Sequence, residues 1–260
     1  MLQQLRLFLT AVQFFTRLSV PGWVGHSAAQ LDQAARYFPA VGFVVGVLAA
    51  AVWWSAAQIL PLHIALLLSM AAGIFFTGAF HEDGLSDFVD GFGGGDKAEK
   101  ILAIMKDSHV GAYGVIAIVL ALMLKFAALQ QLAMYSFALA LTTLVAAHVI
   151  SRLLAASLIY TQHYVRIDDS ARAKPAALGM SHTSFAIALL FGAIAVGMLA
   201  CTGVSLWALG SALAAAMLMR AYLAWRLQKT LGGYTGDCLG AVQQLTEIAF
   251  YLGLLAALPK

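Results

Sequence analysis

The sequence predicts an all-α integral membrane protein, with about seven transmembrane helices and an N-terminal amphipathic helix in a single polytopic domain, residues 1–260. Hydrophobic residues make up 62% of the chain and charged residues only 10%, whereas soluble domains carry about 45–50% and about 25%. Seven stretches are apolar over roughly the 20 residues that a membrane helix needs. This composition excludes an ordinary soluble enzyme and a disordered chain, and an excess of three cationic residues is too small for a nucleic-acid binder.

The elements follow from hydropathy and spacing. A polar stripe at helical spacing in the first 17 residues predicts an amphipathic helix on the membrane surface. The predicted spans are 37–60, 62–80, 110–130, 137–159, 185–201, 205–223 and 239–258. His148 and Arg152 interrupt the fourth span and Glu247 the seventh, whereas Lys125 is predicted to extend toward the interface near the outer end of the third.

The cationic residues sort to one side of these spans. That side holds Arg6, Arg17, Arg36, Lys97, Lys100, Lys106, Arg166, Arg172, Lys174, Arg226 and Lys229. Only Lys260 falls in the connections and terminus of the other side. The positive-inside rule therefore predicts that the N-terminus and the long loops face the cytoplasm, with the chain in the inner (cytoplasmic) membrane. Cys201 and Cys238 fall at opposite faces, so they are not expected to pair.

Acidic residues are concentrated after the second span. Asp83, Asp87 and Asp90 stand at i, i+4 and i+7, so on a helix they share one face. Three carboxylates on one face repel one another unless a cation lies among them, and oxygen ligands of this kind suit Mg²⁺ or Mn²⁺. Glu82 points about 100° away from Asp83 and could join the site only if the helix begins there. A solvated acidic loop is the alternative, which the interleaved apolar residues and glycines make less favourable.

Six pieces of the sequence, in order, resemble the cobalamin synthase family, which comprises integral-membrane adenosylcobinamide-GDP ribazoletransferases. They are FFTRLSVP (14–21), ARYFPAVGFVVG (35–46), TGAFHEDGLSDFVDGFGGG (77–95), IMKDSHVGAYG (104–114), AAHVISR (146–152) and LGGYTGDCLGA (231–241). The resemblance implies that the chain joins adenosylcobinamide-GDP to α-ribazole or its 5′-phosphate and releases GMP. It also implies metal-assisted phosphoryl transfer.

Residues and resemblance together give a candidate site. The predicted metal ligands for Mg²⁺, or Mn²⁺, are Glu82, Asp83, Asp87 and Asp90; the predicted catalytic residues are Asp237 and Asp107; the predicted substrate-binding residues are Lys106, His148, Arg152, Arg166 and Lys174. Plainer roles remain open for several of them. Asp237 suits a helix cap, Arg152 with His148 a strut between helices, and Lys106 an interfacial anchor. The role of Glu247 is left open.

Two rival functions are compatible with parts of the pattern. A cation-coupled or metal-ion transporter would use the acidic segment as its ion path, but it needs carboxylates across the membrane depth, and here only Glu247 lies within a span. A scaffold that gathers pathway enzymes is the second rival. The expected partners are the two substrates and membrane lipid but no nucleic acid. A homo-oligomer and contacts with other cobalamin-pathway enzymes are compatible with the sequence.

Overall fold

The computed structural model describes residues 2–25, 27–165 and 177–259, and within these ranges the chain is helical, with one isolated β-bridge between Tyr164 and Tyr234. The α-helices are α1 (Leu2–Phe15), α2 (Ala28–Ala34), α3 (Phe38–Ala56), α4 (Leu62–Thr77), α5 (Phe80–Gly94), α6 (Ala98–Lys106), α7 (Ala112–Tyr135), α8 (Phe137–Thr161), α9 (His182–Ala200), α10 (Leu206–Leu231) and α11 (Gly236–Ala257). Short 3₁₀ turns cover Gly22–Val24 and Ala35–Tyr37. The predicted all-α class is confirmed.

Most of the predicted spans appear as single long helices. In the described part of the chain, six helical stretches are long and apolar enough to cross a bilayer: 28–56, which ends with α3, and the helices α7 to α11. The predicted second span differs, because α4 has only 16 residues and passes the same test only together with α5. Six spans are therefore present as single helices, and the predicted count of about seven is reached if the bent pair of α4 and α5 supplies one more. Cys201 and Cys238 are both free thiols, as expected.

A sharp bend separates α4 from the acidic helix α5. The two helices meet at 85°, and the residues between them, Gly78 and Ala79, both have left-handed backbone conformations, with φ of 64° and 59°. Arg17 lies against this bend: its backbone N–H donates to the carbonyl of Phe76 at 2.8 Å, and its side chain fills the space that a Cβ at Gly78 would need. α5 thus leaves the direction of α4 at its first residue, and its four carboxylates favour a position at the membrane surface over one within the hydrocarbon.

α5 packs directly on the first turns of α11. A Cβ at Gly84 would lie 3.1 Å from the Cα of Asp237, and a Cβ at Gly240 would lie 3.1 Å from the carbonyl oxygen of His81. The two backbones approach this closely because both contact positions are glycine. The contact places the face of α5 beside the N-terminus of the last span.

The first helix is confirmed, but part of its polar stripe is turned inward. Thr10 is buried, and its hydroxyl accepts a hydrogen bond from the side chain of Gln30. Arg6 donates through Nε to the carbonyl of Val24 at 2.7 Å. The stripe therefore binds the short segment that includes α2, and the apolar end of α1 packs through Phe15 against Phe38, with ring centroids 4.5 Å apart.

Candidate active site

Asp83, Asp87 and Asp90 share one face of α5, as predicted, but they have different surroundings. Because the helix begins at Phe80, all four acidic side chains project from helical backbone. Asp83 is exposed, Asp87 is half-buried and Asp90 is buried. The face is therefore accessible at Asp83 and Asp87 and covered at Asp90.

Asp90 binds the beginning of α7. Its Oδ2 accepts from the backbone N–H of Gly111 at 2.7 Å, and its Oδ1 accepts from that of Gly114 at 2.9 Å. The first N–H groups of a helix have no partners within the helix, and a carboxylate at this end is favoured by the helix dipole. Asp90 thus joins α5 to the third span, a contact that its spacing to Asp87 could not reveal.

Glu82 faces the bundle. Its Oε1 accepts from the side chain of Gln244 in α11 at 2.9 Å, and its other oxygen is buried. The 100° offset from Asp83 therefore points Glu82 toward the spans, away from the open side of the acidic face.

Asp237 lies at the start of α11 and faces the acidic helix. Thr235 is the N-cap of α11, because its hydroxyl accepts a hydrogen bond from the backbone N–H of Cys238. Thr235, and not Asp237, therefore caps this helix. Burial, and then the negative charges of Asp237, Asp83 and Asp90, together raise the pKa of Asp87 to about 7. Asp87 and Asp237 come from distant parts of the sequence, and the docking of α5 on α11 brings them together.

The acidic face has the chemistry of a metal site without the finished geometry of one. No three His, Cys, Asp or Glu side chains are gathered around a common point in the described ranges. Asp90 and Glu82 are engaged by α7 and α11, whereas Asp83 and Asp87 lie on the accessible part of the face, beside Asp237 of α11. Burial, and then repulsion by the neighbouring carboxylates, raises the pKa of Asp87. A hard divalent cation would relieve that repulsion, so this donor set fits Mg²⁺ or Mn²⁺.

His148 and Arg152 form a buried pair in the middle of α8. Arg152 is 2% exposed, and its Nη1 lies 3.0 Å from both the Nδ1 and the carbonyl oxygen of His148. Arg152 lies beside two cavities of about 20 and 30 Å³, each with room for about one water. In this conformation the pair lies inside the bundle, and neither cavity is large enough for a diphosphate.

A second buried charge pair corrects the interpretation of Lys125. Lys125 was expected to reach the outer interface, yet it is 8% exposed and its Nζ lies 2.5 Å from Glu247 Oε1. Because α7 continues to Tyr135, Lys125 lies more than two turns from the end of that helix. Glu247 also accepts from Tyr251 at 2.8 Å and from Gln243 at 2.7 Å. Glu247, whose role the sequence left open, therefore joins α7 to α11.

Lys106 and Asp107 were expected to open the third span, but they end the separate helix α6, and α7 begins five residues later at Ala112. Both are exposed. Asp107 accepts from the backbone N–H of His109 at 3.0 Å and contacts its ring at 2.6 Å, and these hydrogen bonds lower the pKa of Asp107. The predicted phosphate contacts Arg166 and Lys174 lie outside the described residues.

Sequence reasoning missed an aromatic cavity beside the acidic helix. Its volume is about 30 Å³, and its lining includes Phe14, Phe15, Phe38, Phe80 and Arg152. The rings come from three helices, α1, α3 and α5, so no local spacing connects them. Their only common signal was that Phe14, Phe15, Phe38 and Phe80 all fall within the pieces that carry the family resemblance.

Comparison with known proteins agrees with the resemblance. A family model described as cobalamin-5-phosphate synthase matches residues 7–255. The chain belongs to this family. It is 46% identical over 255 residues to the adenosylcobinamide-GDP ribazoletransferase of Shewanella frigidimarina, a match that covers 98% of this chain and 96% of that protein. It is 45% identical over 256 residues to the enzyme of the same name from Shewanella woodyi, covering 97% and 96%. No solved structure matches the chain.

The match to cobalamin-5-phosphate synthase confirms the family that the six sequence pieces predicted. The match extends over nearly all of the chain, so it includes the acidic helix, the buried pair in α8 and the start of α11.

Proposed function

We propose that this chain is an adenosylcobinamide-GDP ribazoletransferase that produces adenosylcobalamin, or its 5′-phosphate, and GMP. A ribose hydroxyl of α-ribazole, or of its 5′-phosphate, forms a bond to the phosphorus attached to the cobinamide arm. The bond from that phosphorus to GMP breaks, and the hydroxyl proton passes to a base. The observation that carries the proposal is the docking of the α5 carboxylates against Asp237 in a chain of this family.

In this proposal Asp83 and Asp87 hold Mg²⁺, or Mn²⁺, and Asp237 completes the set or accepts the proton of the attacking hydroxyl. When bound, the ion would neutralise diphosphate charge and make GMP a better leaving group. Asp90 supports the site by holding α5 on the N-terminus of α7. Asp107 stays a predicted catalytic residue, and its exposed position after α6 leaves it accessible to substrate.

The basic residues that would hold the remaining phosphate oxygens are Lys106, Arg166 and Lys174. Support for the last two comes from the described residues on either side of the segment that contains them. Val165 donates to the carbonyl of Tyr234 at 2.9 Å, and the Tyr234 hydroxyl donates to the carbonyl of Ala177 at 2.8 Å. Val165 and Ala177, the described residues on either side of this segment, therefore both contact Tyr234, three residues before Asp237. His148 and Arg152 would act from within the bundle, by contact only if the cavities open.

We also propose that the site faces the cytoplasm from the inner membrane, because the cationic connections and the acidic helix fall on one side of the spans. Lipid would surround the spans. A homo-oligomer and contacts with other pathway enzymes remain predictions.

Release of GMP tests the proposal. Purified protein with adenosylcobinamide-GDP, α-ribazole 5′-phosphate and Mg²⁺ should release GMP, and omission of the acceptor should abolish the release. Asp87→Asn should lower the rate about a hundredfold or more, a barrier increase of about 2.7 kcal/mol. Asp96→Asn removes the same charge from an exposed residue outside the acidic face and should retain the rate. Ion transport by reconstituted vesicles without GMP release would instead support the transporter.

A further inference from the structure

A small cavity of about 20 Å³, lined by both polar and apolar side chains, lies within the bundle, next to the start of α5. Its lining includes Glu82 from α5, Arg152 from α8 and Gln243 from α11. Each of these side chains has one buried polar atom that finds no hydrogen-bond partner among the described residues. The three atoms are Glu82 Oε2, Arg152 Nε and Gln243 Oε1.

Each of these side chains also has a polar atom that is engaged in a hydrogen bond. Glu82 Oε1 accepts from Gln244 at 2.9 Å, and Arg152 Nη1 donates to a backbone carbonyl one turn earlier at 3.0 Å. Gln243 Nε2 donates to Glu247 Oε2 at 2.7 Å. The carboxylate of Glu247 can only accept, so the amide nitrogen must face it and the amide oxygen is left over.

One water molecule matches these three atoms in number and in polarity. It would donate its two hydrogens to the oxygens of Glu82 and Gln243 and accept from the N–H of Arg152. A buried water needs a cavity of roughly 10–15 Å³ and two to four polar partners, and this cavity is larger than that minimum. A bound cation fits less well, because the guanidinium of Arg152 lines the same space.

We propose that this cavity holds one ordered water bridging Glu82, Arg152 and Gln243, and that Glu82 is thereby a positioning residue of the acidic helix and not a metal ligand. Glu82 lies in the first turn of α5, directly before Asp83. Held by Gln244 and by the water, it fixes the rotation of α5 and so the direction of its acidic face. The water bridge is inferred from the cavity alone, whereas the positioning role of Glu82 also rests on the proposed function.

A double-mutant cycle between Glu82 and Gln243 tests the bridge. The variants Glu82→Gln, Gln243→Leu and their combination are purified in detergent, and the midpoint of thermal unfolding is measured for each. If both residues bind the same water, the first substitution already disrupts the bridge, so the combined loss should be clearly smaller than the sum of the single losses. Gln243 carries no net charge, so the coupling cannot come from attraction between ions.

Thr143 provides the matched control. Its buried hydroxyl also lacks a partner in the described structure, but Thr143 does not line the cavity. Thr143→Val combined with Glu82→Gln should therefore give additive losses. Additive losses for the Glu82 and Gln243 pair would overturn the bridge. A crystal structure that resolves ordered waters and finds the cavity empty would overturn it as well.

Binding of Mn²⁺ distinguishes a positioning residue from a ligand. Electron paramagnetic resonance of the purified full chain should show that Glu82→Gln keeps a Kd for Mn²⁺ close to that of the unmodified protein. Asp87→Asn should raise the Kd by about tenfold or more. In the GMP assay, Glu82→Gln should lower kcat severalfold without changing the Mn²⁺ concentration that gives half-maximal activity.

An equal loss of Mn²⁺ affinity in Glu82→Gln and Asp87→Asn would make Glu82 a ligand and overturn the positioning role. Unchanged kcat in Glu82→Gln would overturn it too. If the unmodified chain bound no Mn²⁺, the proposed metal face would fail, and the thermal cycle would still decide whether the water bridge exists.

Discussion

At Asp87, protons and a divalent cation are expected to compete for one group near neutral pH. Burial and three neighbouring carboxylates raise its pKa from 3.8 to about 7. The folded chain therefore holds this proton more tightly than the unfolded chain. Between these two pKa values, the free energy of unfolding falls as the pH rises, because the unfolded chain releases the proton first.

The expected result is a thermal midpoint in metal-free buffer that decreases as the pH is raised toward 7. Addition of Mg²⁺ should recover part of the loss at the higher pH, because bound cation replaces the proton. Asp87→Asn should weaken both effects, and Asp96→Asn should leave them unchanged. A pH dependence identical in Asp87→Asn and the unmodified protein would show that another group causes it.

Residue spacing predicted the acidic face but not the partners of its members. The i, i+4, i+7 pattern required only that α5 be a helix. The contacts of Asp90 with Gly111 and Gly114, and of Glu82 with Gln244, depend on how α7 and α11 pack. They join residues that are 21 to 162 positions apart in the sequence, so local spacing could not predict them. Lys125 was misjudged for the same reason, because its carboxylate partner lies on another helix.

In the bend between α4 and α5, one residue has a backbone conformation that is unfavourable for any residue with a side chain. Ala79 has a φ of 59°, and a left-handed conformation costs a non-glycine residue about 1–2 kcal/mol. Ala79→Gly removes this strain but adds flexibility to the unfolded chain, so a net stabilisation of about 0.5–1 kcal/mol is expected.

Gly78→Ala makes the opposite change in the neighbouring position, where a Cβ would also displace Arg17. It should destabilise the protein by at least about 1 kcal/mol. Thermal unfolding in detergent measures both variants. Destabilisation by Ala79→Gly would mean that the methyl group of Ala79 contributes more by packing than its backbone costs.

The contact between α7 and α11 depends on the buried pair of Lys125 and Glu247. Loss of one member of a buried ion pair costs about 3–5 kcal/mol, whereas replacing both is often nearly neutral. Glu247→Gln should therefore lower the thermal midpoint strongly, and Lys125→Met added to it should restore most of the loss. A double variant less stable than Glu247→Gln alone would show that Lys125 has a further partner.

For the whole molecule, the distribution of cationic residues predicts the topology. Reporter fusions after Gly94 and Lys229 should be active in the cytoplasm, and a fusion at Lys260 should be active outside it. A cytoplasmic C-terminus would require an even number of spans, and α4 would then be the helix that fails to cross, because with 16 residues it is shorter than the other helices assigned to the spans.

The all-helical class and most spans could be predicted because hydropathy is a local property and a membrane helix satisfies its own backbone. The bend at residues 78–79 could not, since an apolar window continues smoothly from α4 into Phe80. The segment that contains α5 and α6 was interpreted as a loop, except for its acidic core, for which a helix was considered. Short amphipathic helices of this kind are stabilised mainly by packing against neighbours.

The length of α4 has a consequence for the surrounding lipid. Its 16 residues extend about 24 Å, whereas the hydrocarbon core of a typical bilayer is about 30 Å thick. Where a hydrophobic segment is too short, the bilayer thins around it, and the thinned region would border the acidic helix that follows. Synthase activity should then be higher in vesicles of short-chain than of long-chain phosphatidylcholine, and equal activity in both would contradict this expectation. Water-soluble substrates would meet the carboxylates at a local depression in the membrane surface, without entering the hydrocarbon.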